Sequence, residues 1–178
     1  IILLVSGFNK KGITALSGAI SGVIITALLA IAFGELFNIP GKTKEFSESL
    51  LYAGFLDLNL TDMMISAIFI AASGAVMDVA MDIAASQNEL IEKKPDLTRK
   101  ELITSGFKIS YPVIGTMTTT LLFAYSGGFL FVFMVFMAKG YPIISIFNMN
   151  FIAAEILHTI VGSFGLVMVA PATAIIGG

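Results

Sequence analysis

The stretch that decides the fold class is residues 60–89, LTDMMISAIFIAASGAVMDVAMDIAASQNE. It is an almost unbroken apolar run, longer than the ~18 residues that indicate a membrane-spanning helix. It nevertheless contains Asp78 and Asp82, and each acid at the centre of a bilayer costs roughly 2.5–3.5 kcal/mol on insertion scales. Because the two acids are four residues apart, they lie on one face of a helix. We therefore expect this pair to have a functional role.

The composition extends this interpretation to the whole chain. Of its 178 residues, 57% are hydrophobic and only 12% are charged, about half the ~25% of an average globular domain. Further apolar runs occupy residues 1–8, 13–33, 109–138 and 151–176. We predict an all-α, polytopic transmembrane helix bundle of about five spans, which forms a single transmembrane domain over residues 1–178. Because the sequence begins inside an apolar run, we expect a fragment of a longer chain.

Several function classes are disfavoured by the composition. The chain has no cysteine and one histidine, which argues against disulfides and thiolate metal sites. A net charge of −2 does not indicate the basic surface that nucleic-acid-binding proteins usually have. There is no H-E-x-x-H motif, no Gly-rich phosphate loop and no arrangement of a nucleophile with a base. We expect no enzymatic activity, no cofactor, no metal and no nucleic-acid partner.

The charged segment 89–108 predicts the topology. Pro95 should end the preceding helix, and Asp96 or Thr98 should start an amphipathic helix that lies along the membrane face. Placing this connector and the turn 9–12 in the cytoplasm puts seven of the ten lysines and arginines inside. The loop 35–58 is then outside. Whether residues 109–138 cross the membrane once or twice is left open by the sequence.

The candidate functional face of the central helix combines small residues with both acids. It comprises Ala71, Gly74, Ala75, Asp78, Asp82 and Ala85. Small residues let a partner helix approach and shield the acids from lipid. No lysine or arginine lies inside any predicted span, so at least one acid should be protonated or should meet water. The pair is suited to exchanging a proton or binding a cation. The alternative is a pair of purely structural polar groups.

Threonines on the following span form a second candidate group. Thr116, Thr118, Thr119 and Thr120 could hold water or donate hydrogen bonds to the aspartates. Alternatively, their hydroxyls bond to carbonyls of their own helix.

Two further groups have a structural alternative. Glu155 and His158, three residues apart on the last span, could act as a proton switch or form an interfacial structural pair. Gly18 and Gly22 form a small-xxx-small pair, which favours ordinary helix packing over a dedicated dimer motif. Thr61 or Asp62 should cap the central helix.

Two segments resemble a known family. SGAVMDVAMDIAASQNEL at 73–90 and ILHTIVGSFGLVMVAPATA at 156–174 resemble the YibE/F family of bacterial membrane proteins. This implies a location in the bacterial cytoplasmic membrane and a lipid bilayer as environment.

The order of elements is also distantly similar to half of a resistance–nodulation–division (RND) or SecDF transporter. That similarity implies that Asp78, four residues after Gly74, relays protons with Thr118 and Thr119 as partners. It also implies assembly with a second half, as a homodimer or as a heterodimer with a sister protein.

Together these patterns favour a permease-like protein. We expect transport of an unknown small molecule or ion, coupled to a proton or another cation by Asp78, with Asp82 second. The alternative is a non-transporting membrane scaffold or assembly subunit whose buried polar residues hold a helix interface.

Overall fold

The structure, a computed structural model, describes residues 2–36, 47–55 and 57–178. Seven helices and no strand are found in these ranges: α1 (Ile2–Ser6), α2 (Lys10–Leu36), α3 (Ser47–Tyr52), α4 (Leu60–Lys93), α5 (Arg99–Ala138), α6 (Ile143–Phe147) and α7 (Asn150–Gly177). The predicted all-α class is confirmed. Of the predicted loop 35–58, residues 37–46 and 56 lie outside the described part of the chain.

Four of the described helices, α2, α4, α5 and α7, are long and apolar enough to cross a membrane. The fifth span, predicted from residues 1–8, is represented in the described residues by α1, which has five residues. Residues 109–138, for which the sequence leaves one or two crossings open, lie within a single 40-residue helix, α5.

The four long helices alternate in direction. α4 packs against α2 and α7, and α5 packs against α7 and α4. The bundle therefore has two ends. At the charged end, α4 ends at Lys93 and α5 begins at Arg99. At the other end, which we call the α6 end, α5 ends and α7 begins. α2 and α7 begin at opposite ends, since Gly18 of α2 lies against Thr173 near the end of α7.

The main core lies where α2, α4 and α7 meet. Val76, Val79 and Ile83 of α4 are fully buried there against Leu166 and Val169 of α7. A smaller cluster lies nearer the α6 end. Large apolar side chains also cover the outside of the bundle, among them Ile24, Leu28, Phe131 and Met134. A helix that is apolar all round is typical of a membrane span.

The connector 89–108 differs from the prediction. α4 continues to Lys93, and Arg99 already begins the long helix α5, so only residues 94–98 connect the two helices. There is thus no separate amphipathic helix along the membrane face. At 1.5 Å per residue, α5 is roughly 60 Å long against a bilayer core of ~30 Å. Its charged first turns therefore have room to extend beyond the apolar layer.

Thr98 begins α5, as one of the two predicted alternatives. Its hydroxyl accepts a hydrogen bond from the Glu101 backbone N–H at 3.3 Å, while its own backbone N–H donates to the Glu101 carboxylate at 2.9 Å. This reciprocal arrangement is a capping box. In this charged turn, ahead of the apolar part of the helix, hydrogen bonds from the Thr98 hydroxyl and backbone lower the pKa of Glu101.

The cap predicted for α4 is wrong by two or three residues. Asn59, not Thr61 or Asp62, precedes the first helical residue, and its side-chain oxygen accepts hydrogen bonds from the backbone N–H groups of both. Because the helix already begins at Leu60, Thr61 and Asp62 lie in its first turn and cannot occupy the capping position. A negative charge at Asp62 remains favourable there, since it lies at the positive end of the helix dipole.

Candidate ion-coupling face of helix α4

Asp78 and Asp82 lie on the exposed side of α4, one turn apart. Their neighbours in sequence, Val79 and Ile83, are fully buried on an adjoining side of the helix. The 3.6-residue period produces this division, because the apolar core positions and the acids fall on different faces. α4 has 34 residues and is roughly 50 Å long, which places Asp78 about midway along it.

The small residues beside the acids are only partly covered within the described part of the chain. Ala71 and Gly74 are exposed, and no atom of another described element lies within 4 Å of a Cβ built on Gly74. Ala75 and Ala85, which belong to the predicted face, are half-buried at its edge. Among the described residues, the part of the face around Gly74 is therefore open.

The threonines of α5 are mostly satisfied by their own helix. Exposed Thr116, Thr119 and Thr120 donate to the carbonyls of Pro112, Gly115 and Thr116 at 3.1, 2.8 and 2.9 Å. Thr118 differs, because its buried hydroxyl has no hydrogen-bond partner in the described part of the chain.

The register between α4 and α5 relates the two groups. Gly106 of α5 lies beside Gln87 of α4, while Leu121 and Ala72 both lie near Gly162 of α7. In these antiparallel helices Asp78 is therefore level with Gly115 to within about one turn. Asp78 and the threonines lie at similar depth, yet no direct hydrogen bond joins either aspartate to a threonine among the described residues.

The ion pairs found in the described ranges do not include the aspartates. Lys93 pairs with Glu89 at 2.5 Å at the charged end, and His158 Nδ1 lies 3.2 Å from Glu155 Oε1 in α7. Asp82 is close enough to Asp78 for the two carboxylates to repel one another. Two adjacent acids on an exposed, mid-helix face can take up a proton or a cation where water or another chain reaches them.

Gly18 and Gly22 lie on the buried side of α2. A Cβ at Gly18 would come within 2.8 Å of Thr173 Cβ, and one at Gly22 within 2.6 Å of Val169 Cβ. Gly165 of α7 makes the corresponding close contact with α2, because a Cβ there would lie 2.9 Å from Thr26 Cβ. These contacts hold α2 and α7 of the same chain together at short distance.

Glu155 and His158 lie at the α6 end, with His158 buried. The sequence did not indicate their third partner, Tyr125, whose hydroxyl lies 3.3 Å from His158 Nε2. Tyr125 is on another helix, 33 residues away, and no local motif links the two. The two rings are also in contact, with centroids 4.9 Å apart.

Gln87 is a second polar residue that the sequence did not single out. Its side chain is buried where α4, α5 and α7 meet, and its Nε2 donates to the carbonyls of Leu102 at 3.3 Å and Ala174 at 3.0 Å. Its Oε1 has no partner in the described part of the chain. In the sequence, Gln87 is an amide residue next to a charged run, and a residue in such a position is usually exposed to solvent.

The described residues contain no group of three or more His, Asp or Glu that could hold a metal ion. Four long apolar helices, with apolar side chains on their outer surface, define a multi-pass helical membrane protein.

Within that class the chain belongs to the YibE/F-like family, whose model matches residues 1–178. The family resemblance found in the two quoted segments is therefore confirmed. No curated protein and no solved structure matches the chain, so the distant similarity to RND and SecDF transporters stays a prediction.

Proposed function

We propose that this protein is a membrane permease in which Asp78, with Asp82 second, binds the proton or cation that drives transport. The observation that carries the proposal is the position of both carboxylates on an exposed face midway along an apolar helix. An acid facing lipid tails is costly, and ionisable groups inside membranes usually face a cavity, a relay or a partner.

The proposal requires that something other than lipid covers this face. A second copy of the chain, or a sister protein, meets that need, because Ala71 and Gly74 leave room for another helix beside the acids. A water-filled path between the two halves would then reach Asp78. Thr118 and Thr119, at similar depth on α5, would line it and hold water. We place this assembly in the bacterial cytoplasmic membrane, with the charged end in the cytoplasm and the loop 35–58 outside.

Ion flux into proteoliposomes tests the proposal. The purified protein is reconstituted with a dye sensitive to protons, sodium or potassium inside the vesicles, and a gradient of the matching ion is imposed in each case. We expect the wild type to dissipate at least one gradient and Asp78→Asn to lose this flux, because an amide cannot release a proton or carry a charge. Asp82→Asn should reduce the flux less.

The matched control is Asp62→Asn, which makes the same chemical change in the exposed first turn of α4. It should behave as the wild type. Full flux in Asp78→Asn, with normal insertion and assembly, would contradict the proposed role of Asp78.

The alternative function is a scaffold or assembly subunit. One observation favours it: the hydroxyls of three exposed threonines already donate hydrogen bonds within α5, so this face could pack against another helix without unsatisfied donors. These threonines are Thr116, Thr119 and Thr120. In this case Asp78→Asn would leave any activity intact, while Asp78→Leu would weaken association between chains. Comparing the two variants in the flux assay and by size-exclusion chromatography separates the two functions.

A further inference from the structure

A cavity of about 280 Å³ lies at the α6 end, away from Asp78, between α5, α6 and α7. This volume is just below the ~300 Å³ at which ligand pockets in proteins usually start, so the cavity has room only for a small molecule. Leu122, Ile156 and Ile160 stand at its exposed rim, which allows entry from the apolar surface of the bundle.

Aromatic rings form much of the cavity wall. Phe129, Phe133, Phe147 and Tyr125 all line it. Phe133 and Phe147 contact one another across α5 and α6, with centroids 5.9 Å apart. Phe129 is held by Phe151 of α7 at 5.4 Å. These contacts fix the orientation of the rings, and the faces of aromatic rings attract cations.

Glu155 adds a carboxylate to this wall, with 14% of its side chain exposed. Its neighbour His158 can satisfy its contacts with Glu155 and Tyr125 as a neutral imidazole. In the tautomer with the proton on Nδ1, Nδ1–H donates to the carboxylate of Glu155, and Nε2 accepts from the Tyr125 hydroxyl. The histidine then orients Glu155 without cancelling its negative charge.

We propose that this cavity binds a small organic cation with an apolar body, such as an alkyl- or arylammonium ion. The aromatic walls provide the apolar contact and the cation–π attraction, and Glu155 provides the opposite charge. A neutral apolar molecule would gain nothing from the charge of the carboxylate, and an anion would be repelled by it. A bare metal ion would require more oxygen ligands than this wall supplies.

Benzyltrimethylammonium and its neutral carbon analogue, neopentylbenzene, test this proposal as a pair of equal shape. Binding to the purified wild-type protein is measured by equilibrium dialysis in a maltoside detergent, because choline-based detergents carry the same cationic group and would compete. We expect the cation to bind at least about tenfold more tightly than the neutral analogue.

Two variants locate the site. Glu155→Gln should weaken binding of the cation about tenfold or more and leave the neutral analogue unchanged. Phe129→Leu, which keeps an apolar side chain but removes the ring, should weaken the cation about threefold. Asp62→Asn removes a carboxylate at the same end of the bundle, on α4, and should bind as the wild type does.

Equal affinities for the cation and the neutral analogue would overturn the proposal and show an apolar crevice that takes lipid chains. No measurable cation binding by the wild type, or full binding by both Glu155→Gln and Phe129→Leu, would overturn it as well. Unchanged binding of neopentylbenzene by Glu155→Gln shows that the cavity is intact, so a loss of the cation is not a folding defect.

Discussion

At the scale of single residues, Gly22 shows most clearly how the helices of this bundle approach one another. A Cβ at this position would lie 2.5 Å from Val169 Cγ2, 2.6 Å from Val169 Cβ and 3.0 Å from Val76 Cγ1. The nearest atoms belong to a β-branched side chain close to its backbone, which cannot turn away. The absence of a side chain therefore allows α2 to approach both α7 and α4.

We predict that Gly22→Ala lowers the free energy of unfolding by about 1–3 kcal/mol, the usual cost of overpacking. Gly115→Ala is the control, because a Cβ there meets no atom of another described element within 4 Å, and alanine favours the helix by up to ~1 kcal/mol. Reversible denaturation in detergent, followed by circular dichroism, measures both. A Gly22→Ala protein as stable as Gly115→Ala would contradict the packing described for α2.

Residue patterns predicted part of the candidate site. The exposed face with Asp78 and Asp82 follows from helical periodicity, and the bonding of the threonines to their own helix was one of two stated alternatives. The contacts of Tyr125 and Gln87 could not be foreseen. Both depend on which helices become neighbours, and a single sequence does not contain that information for apolar helices of similar composition.

At the scale of elements, local capping chemistry is informative where polar and apolar segments meet. Thr98 was one of two candidates for the start of α5, and its capping box with Glu101 identifies it. The long spans were predictable from apolar runs alone. The length of α5 was not, because its amphipathic beginning, residues 99–108, has the pattern of a separate surface helix, although the helix continues through Pro112 into the span that follows.

We predict that Thr98→Ala frays the first turns of α5, because it removes the side-chain half of the capping box. Hydrogen–deuterium exchange should become faster at the first backbone N–H groups of the helix and stay unchanged near Thr116. Thr104→Ala is the control, since its hydroxyl only donates to the Lys100 carbonyl of the same helix. Equal exchange in Thr98→Ala and the wild type would contradict a role for the cap.

The same cap should depend on pH in a defined direction. Because hydrogen bonds from Thr98 lower the pKa of Glu101 in the folded protein, the stabilisation is fully present above the pKa of an unfolded glutamate, about 4.3. It is lost as the pH falls through the lower folded value. After correction for the intrinsic pH dependence of exchange, the protection of these N–H groups should decrease only in this acidic range.

At the scale of the whole molecule, the exposed aspartates connect the fold with the proposed function. The bundle buries its core between α2, α4 and α7 and leaves two acids on the outside of α4. In a bilayer this is favourable only where a second chain or water covers the acids. This face of α4 should therefore not contact lipid.

Cysteine accessibility at Gly74 tests this claim most directly, because the chain contains no native cysteine and Gly74 lies one turn from Asp78 on the same exposed face. Gly74→Cys and the control Ile24→Cys, on the exposed apolar side of α2, are treated in native membranes with a charged, water-soluble thiol reagent and with a disulfide-forming oxidant. We predict that Gly74→Cys reacts with the reagent or cross-links to a second chain, while Ile24→Cys does neither. A Gly74→Cys protein as inert as Ile24→Cys would show that the face contacts lipid and would contradict the account.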